Sequence, residues 1–155
     1  LAREGEGGAD VGCVYLPALD EMVWAGRGEG CWWNGRRARV SETEKIEDAC
    51  ICFTSWMNFG TCKRDAVWDR LTESVRLVRG WGDCYGHILV ATGRADASFD
   101  PAMNPWDCGP LLPILEEAGG TFTDWEGRAT VRGEDAFSTN GRLFQTVLGA
   151  LNSPH

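Results

Sequence analysis

Three carboxylates and one arginine form the part of the sequence best suited to chemistry. Arg79 is followed by Asp83, and Asp100 and Asp107 come later in the same half of the chain. Carboxylate oxygens are the ligands that a hard cation such as Mg²⁺ prefers. Each acid also has a structural explanation, because carboxylates favour the first turn of a helix and Asp before proline is a common turn residue. The order and spacing of the four residues together favour a functional site.

Other catalytic and metal-binding patterns are missing from the sequence. It has no Gly-rich phosphate loop and no Gly-x-Ser-x-Gly elbow, and its seven cysteines and two histidines lack the spacing of a zinc site. His87 precedes the apolar run Ile88, Leu89 and Val90, which favours a satisfied buried histidine over a catalytic base. We expect reduced cysteines packed as small apolar side chains, which is typical of a cytoplasmic protein.

The charge balance limits the classes of partner. Fifteen Lys and Arg against 23 Asp and Glu give a net charge of −8, so the overall field repels nucleic acid and anionic lipid. No apolar run approaches the roughly 18 residues of a membrane span. A phosphate on a small substrate remains compatible with this charge, because a local cation overrides a field that salt screens within roughly 10 Å. We predict a small-molecule substrate, no nucleic-acid partner and no membrane association.

The elements that must position these residues fall into two parts of one domain over residues 1–155. Short β-rich runs predict an antiparallel meander of strands at 11–17, 22–26, 31–33 and 37–40. Further strands are predicted at 49–55, 77–79, 97–100 and 121–125. Helices are predicted at 65–75, at 84–92, between Asn104-Pro105 and Gly119-Gly120, and after Thr139-Asn140. Pro110 and Pro113 should distort the third of these helices.

In this arrangement the three carboxylates share one edge of a sheet. Asp100 ends a predicted strand, Asp83 opens a predicted helix, and Asp107 is the third residue of the next helix. Open α/β sheets commonly gather such residues in one cleft beyond the ends of their strands. We therefore expect the side chains of Asp83, Asp100 and Asp107 and the guanidinium of Arg79 to open into a single cleft.

Several motifs resemble the inositol monophosphatase superfamily of Mg²⁺-dependent, lithium-sensitive phosphatases. The pair Trp106-Asp107 followed by Glu117-Ala118-Gly119-Gly120 is similar to the C-terminal signature of that family. The turns Gly28-Glu29-Gly30 and Asn34-Gly35 are similar to its upstream segment. The resemblance implies a mixed α/β fold, a layered αβαβα sandwich of sugar-phosphatase type, of which this chain supplies the C-terminal part. It also implies Mg²⁺ as the cofactor, a phosphate monoester as the substrate and a homodimer as the complete protein.

Within the superfamily, the segment from Arg79 to Asp83 resembles the branch that hydrolyses histidinol phosphate in histidine biosynthesis. By that resemblance Asp107 is the catalytic metal ligand and also contacts the substrate, and the substrate pocket is lined by Arg79, Gly82, Asp83 and Asp100. The amine and imidazole of histidinol can form charge-assisted hydrogen bonds with Asp83 and Asp100, whereas a neutral cyclitol needs partners for its hydroxyl groups. An inositol monophosphatase, or a related sugar or nucleotide phosphatase, is the alternative.

The sequence also departs from the family pattern. The family's other metal ligands come from a Glu on an N-terminal helix and from an Asp-Pro-Ile-Asp-Gly-Thr run, and neither motif occurs in these 155 residues. We expect the chain to be a fragment that begins just beyond that run. A function of another class, an inactive module that binds a phosphorylated metabolite or another subunit in the remaining cleft, is the competing hypothesis.

The sequence contains too few of the family's metal ligands for a complete metal centre. Hydrolysis with two metal ions needs several carboxylates a few ångströms apart, and only Asp107 matches a family ligand. We expect the 155-residue chain, expressed alone, to show no Mg²⁺-dependent phosphatase activity. Co-expressing a family N-terminal half that carries both missing motifs should restore turnover of a phosphate monoester. Metal-dependent turnover by the chain alone, abolished by Asp107→Asn, would show that unidentified ligands complete the centre.

Overall fold

The first sheet is an antiparallel meander, as predicted. The computed structural model describes residues 1–5 and 8–153. The strands follow one another in sheet order: β1 (Ala2–Gly5), β2 (Gly8–Leu16), β3 (Glu21–Gly26), β4 (Gly30–Trp33) and β5 (Arg36–Arg37). Asn34 and Gly35 both have positive φ, which matches the tight hairpin turn between β4 and β5. The predicted strand at 37–40 is mostly wrong, because β5 contains only two residues.

The second sheet is mixed. It contains β6 (Cys50–Phe53), β7 (Leu77–Gly80), β8 (Ala97–Asp100), β9 (Thr121–Thr123) and β10 (Ala136–Thr139) in the order β7-β6-β8-β10-β9. Strand β6 is parallel to β7 and β8, whereas β10 is antiparallel to β8 and β9. Strand β10 was not predicted from the sequence, and Thr139 was expected to cap a helix. All four residues of β10 are buried, so the alternation that identifies a half-exposed strand is lost.

Five helices complete the described part of the chain: α1 (Trp56–Thr61), α2 (Asp65–Ser74), α3 (Tyr85–Ala91), α4 (Pro105–Glu117) and α5 (Phe144–Asn152), with a short 3-10 turn at Ile46–Asp48. Helix α1 was not predicted. Helix α4 runs unbroken through Pro110 and Pro113, although a distortion was expected there. None of the helices in the described residues is long and apolar enough to cross a membrane.

The elements stack in four layers. Helix α4 contacts β1 to β4 on one side and α3 and β9 on the other, so α3 and α4 lie between the two sheets. On the far face of the second sheet, α1, α2 and α5 enclose an aromatic core that includes Phe59, Trp68, Phe99 and Phe137. The described residues therefore form a βαβα stack, which confirms the mixed α/β fold class.

The close contact between α4 and the first sheet depends on a glycine. A Cβ atom built on Gly12 in β2 would lie 2.1 Å from the carbonyl oxygen of Pro110 in α4. Any side chain at Gly12 would push α4 off the sheet, and the first turn of α4 carries Asp107. Gly12 is therefore required for the position of Asp107.

We expect Gly12→Ala to lower the free energy of unfolding by roughly 1–3 kcal/mol, because overpacking forces the backbone to shift. Gly149→Ala is the matched control, since a Cβ at that position of α5 meets no atom within 4 Å and alanine favours helix. Urea unfolding monitored by tryptophan fluorescence measures both changes. An equal effect of the two substitutions would contradict the close-packing explanation.

His87 is fully buried in α3, in agreement with its interpretation as a core residue. Its Nδ1 lies 2.8 Å from the Ser138 hydroxyl in β10, whereas its Nε2 is buried without a hydrogen-bond partner. The histidine is thus only half satisfied. Burial lowers the pKa of His87 from 6.5 to about 4.

This shift predicts acid sensitivity. The unfolded chain binds a proton at His87 below about pH 6.5 and the folded chain only near pH 4, so the folded state loses stability as the pH falls between these values. The loss at His87 amounts to roughly 3 kcal/mol once the pH reaches 4. His87→Gln should flatten the pH dependence of the free energy of unfolding in this window. An unchanged slope would contradict a neutral buried imidazole.

Candidate active site

The parallel strands of the second sheet bring three chain segments to one edge. Phe53 pairs with Gly80 of β7 and with Phe99 of β8, so the three strands end at the same level. Thr54 follows β6, the turn that carries Asp83 follows β7, and Asp100 is the last residue of β8. The carboxyl ends of parallel strands are where open α/β sheets commonly bind ligands.

Asp107 reaches the same edge from α4. It is the third residue of that helix, and its Oδ2 accepts a 3.2 Å hydrogen bond from the Asn104 side chain. The loop before the helix is held to a distant segment, because Met103 N donates to Glu134 O at 2.7 Å. The carboxylate of Asp107 is exposed, and the start of its helix is anchored by the hydrogen bond between Met103 and Glu134.

A cavity of about 540 Å³ joins the three segments and is lined by Asp83, Asp100 and Asp107. Its other walls include residues 13–15 of β2, together with Thr54, Asn58, Met103 and Trp106. The structure therefore brings together the three carboxylates that the sequence placed in one cleft. A volume of this size accommodates a small metabolite.

Asp100 is the most enclosed of the three acids, with 4% of its surface exposed. The Thr54 hydroxyl donates to Asp100 Oδ2 at 2.6 Å, and Ala102 N donates to Oδ1 at 3.4 Å. Burial raises the pKa of Asp100 above its ordinary value, and the nearby charges of Asp107 and Asp83 raise it further. The two hydrogen bonds oppose this shift of the pKa. The three acids thus form a region of negative charge that favours a cation in the cavity.

Asp83 lies in a left-handed turn directly before α3, with φ of 54°. Asp is among the few residues other than glycine that tolerate this conformation. Its neighbour Cys84 also lines the cavity. Burial raises the pKa of the Cys84 thiol, and Asp83 and Asp107 raise it further, so this cysteine is a poor nucleophile.

The seven cysteines are all free thiols. Cys31, Cys52 and Cys108 are buried, as expected of cysteines that pack as small apolar side chains. Cys62, in contrast, is exposed and donates a weak 3.3 Å hydrogen bond to the carbonyl oxygen of Pro101.

Arg79 and Gly82 do not share this cavity. Neither is among the described residues that line it. Arg79 is exposed within the edge strand β7, one residue before its end, and its Nη1 donates to the neighbouring carbonyl oxygen of Val78 at 2.8 Å. A Cβ built on Gly82 meets no atom within 4 Å. The expectation that Arg79 opens into the cleft is therefore corrected, and substrate-binding roles for both residues stay predictions.

Two further polar residues of the cavity, Thr54 and Asn58, were not predicted from the sequence. Thr54 follows β6 directly, and the parallel register of β6 and β8 places it beside Asp100. Asn58 lies in α1, the helix that was not predicted. The position of Thr54 near the end of the predicted strand at 49–55 was the available signal. That signal identifies Thr54 as a cavity residue only when the pairing of β6 with β8 is known.

The carboxylates of the cavity are the type of ligand that a hard cation binds, but too few of the described ones are placed around one point. In residues 1–5 and 8–153, no group of three or more His, Cys, Asp and Glu side chains is placed to hold a metal ion. The exposed oxygens of Asp107 are the type of donor that Mg²⁺ accepts. Asp107 alone therefore fits as one ligand of a metal centre whose other ligands these residues do not provide.

The four-layer stack of helices and sheets, with acids gathered beyond the parallel strands, defines a layered α/β fold of sugar-phosphatase type. The model of the inositol monophosphatase family matches residues 1–153, and the chain belongs to that family. This confirms the resemblance found in the motifs.

Individual relatives agree with this assignment. A histidinol-phosphatase of Chlorobaculum parvum is 38% identical over 99% of the chain and 60% of its own length. A fructose-1,6-bisphosphatase/inositol-1-monophosphatase of Thermotoga maritima is 31% identical over 98% of the chain and 59% of its own length. The solved structure of the extragenic suppressor protein suhB from Bartonella henselae superposes with a TM-score of 0.90 at 27% identity, over 99% of the chain and 60% of that chain. The chain thus spans about three-fifths of the length of these relatives.

Proposed function

We propose that the protein hydrolyses a small phosphate monoester with the help of Mg²⁺, and that its preferred substrate is histidinol phosphate. The observation that carries the proposal is the convergence of Asp83, Asp100 and Asp107 on one cavity of metabolite size. The identity to a histidinol-phosphatase, which exceeds that to the bifunctional sugar and inositol phosphatase, supports the choice of substrate.

The three carboxylates have different roles in the proposed reaction. Asp107 would hold the metal ion, which when bound would supply a Lewis acid for the phosphate oxygens and an acidified water. The three acids that line the cavity would repel an anionic phosphate unless a cation held at Asp107 offset their charge. Asp100 and Asp83 accept hydrogen bonds from the alcohol half of the substrate and orient it away from Asp107.

The charge of these acids favours a cationic alcohol. Histidinol carries an amine and an imidazole, which donate charge-assisted hydrogen bonds to carboxylates. A role in histidine biosynthesis, a cytoplasmic location, a homodimer and the absence of a nucleic-acid partner remain predictions from the sequence.

Two other functions have an observation in their favour. An inositol or sugar phosphatase is supported by the bifunctional relative, and the acceptors in the cavity also suit hydroxyl groups. An inactive binding module is supported by the incomplete set of metal donors in the described residues.

Two substitutions in the full-length protein test the proposal. Asp100→Asn should lower kcat/KM for histidinol phosphate by roughly tenfold or more, because a hydrogen bond to a charged group contributes about 1.5–3 kcal/mol. The loss on a neutral sugar phosphate should be smaller. Asp107→Asn should depress turnover of every substrate, since all of them share the metal.

Each part of the proposal has an outcome that would contradict it. Equal losses on both substrates with Asp100→Asn would remove the preference for histidinol phosphate. Full turnover by Asp107→Asn would exclude its role as metal ligand. If the unsubstituted full-length protein turns over no phosphate monoester with Mg²⁺ but binds one by calorimetry, the inactive module is correct.

A further inference from the structure

Thr54 and Asp100 form a hydrogen-bonded pair in the wall of the cavity. The Thr54 hydroxyl donates to Asp100 Oδ2 at 2.6 Å, which is short for a hydroxyl and typical of a charge-assisted bond. Both residues line the cavity, and both stand at the carboxyl ends of the neighbouring parallel strands β6 and β8. The register of the sheet therefore fixes the pair.

The pair presents only acceptors to the cavity. A threonine hydroxyl has one proton and two lone pairs, and the proton of Thr54 is used in the bond to Asp100. An ionised carboxylate has no proton to donate. The oxygens of Thr54 and Asp100 can therefore bind a ligand only through hydrogen-bond donors on that ligand.

A site of this polarity discriminates between substrates. An alcohol with ammonium, imidazole N–H or hydroxyl groups uses the acceptor capacity that Thr54 and Asp100 still have, whereas an alcohol without donors leaves that capacity unused. Sites built to hydrogen-bond a substrate group reject analogues that lack it far more strongly than apolar pockets reject a missing methylene. Asp100 is almost fully enclosed, so water competes poorly with a substrate for its remaining acceptor capacity.

We propose that Thr54 is a specificity-determining residue, which holds Asp100 in place and with it forms a subsite that favours substrates whose alcohol part donates hydrogen bonds. The proposal rests on the proposed phosphatase function of the same cavity. It adds a residue and a chemical preference: substrates with at least one N–H or O–H donor on the alcohol should bind more tightly.

Two substitutions of Thr54 in the full-length protein separate this role from a structural one. Thr54→Val keeps the shape and removes the hydroxyl, whereas Thr54→Ser keeps the hydroxyl. Thr72→Val controls for the loss of a threonine hydroxyl elsewhere, because Thr72 bonds only within its own helix, to Asp69 O. The substrates are histidinol phosphate, inositol 1-phosphate and p-nitrophenyl phosphate, whose alcohol part has no donor.

We expect Thr54→Val to raise KM for the two donor-bearing substrates by roughly tenfold or more, with a smaller effect on kcat. Its effect on p-nitrophenyl phosphate should stay below about threefold, since that alcohol makes no bond to the pair. Thr54→Ser should recover most of the affinity, and Thr72→Val should resemble the unsubstituted protein. Calorimetric binding of histidinol without metal should weaken in Thr54→Val and recover in Thr54→Ser.

Losses of equal size on all three substrates would mean that Thr54 is only structural, and would overturn the proposal. Unchanged KM values in Thr54→Val would overturn it as well. If histidinol phosphate is not hydrolysed but inositol 1-phosphate is, the proposed substrate is wrong, while a Thr54 effect on inositol 1-phosphate still supports the subsite. If neither donor-bearing compound is hydrolysed and histidinol does not bind, the subsite is refuted.

Discussion

The close packing of α4 between the two sheets is the constraint on which the site depends. Every residue of α4 from Cys108 to Leu115 is buried, and Gly12 allows the helix backbone to touch the first sheet. At the other end of the helix, both carboxylate oxygens of Glu117 accept hydrogen bonds from the backbone, from Gly28 N and Gly30 N at 2.7 Å each. The helix is therefore held along its length, and these contacts also fix the position of the Asp107 backbone in its first turn.

The same contacts explain why two separate motifs of the sequence occur together. The turn Gly28-Glu29-Gly30 supplies the two N–H groups that Glu117 binds, and Glu117 begins the Glu-Ala-Gly-Gly motif. A Cβ built on Gly120 in that motif would lie 2.5 Å from the carbonyl oxygen of Thr139 in β10. The motif thus joins α4 to both sheets and does not itself line the cavity. It affects the cavity only from a distance, through the position of Asp107.

Whether a helix or strand could be predicted from the sequence depends on whether one of its faces is exposed to solvent. The meander and α2 each have one buried and one exposed face, so periodicity and turn residues reveal them. Strand β10 is buried on both faces, and α1 is a helix of six residues with one buried side chain, so neither has a readable period. Asp83, Asp100 and Asp107 were found because they occupy the ends of predictable elements. Thr54 was missed because its role depends on a pairing between β6 and β8, which lie far apart in the chain.

Burial distinguishes the two central carboxylates of the cavity. Asp100 is 4% exposed and its two oxygens already accept hydrogen bonds from Thr54 and Ala102, so the protein fixes its orientation and leaves only part of its acceptor capacity to a ligand. Asp107 is exposed, and the side chain of Asn104 donates to only one of its oxygens, at 3.2 Å. A hard cation keeps several waters and binds carboxylates that solvent can reach. Under the proposed function, the hydrated metal would therefore bind at Asp107, and the enclosed Asp100, with Thr54, would contact the alcohol that leaves.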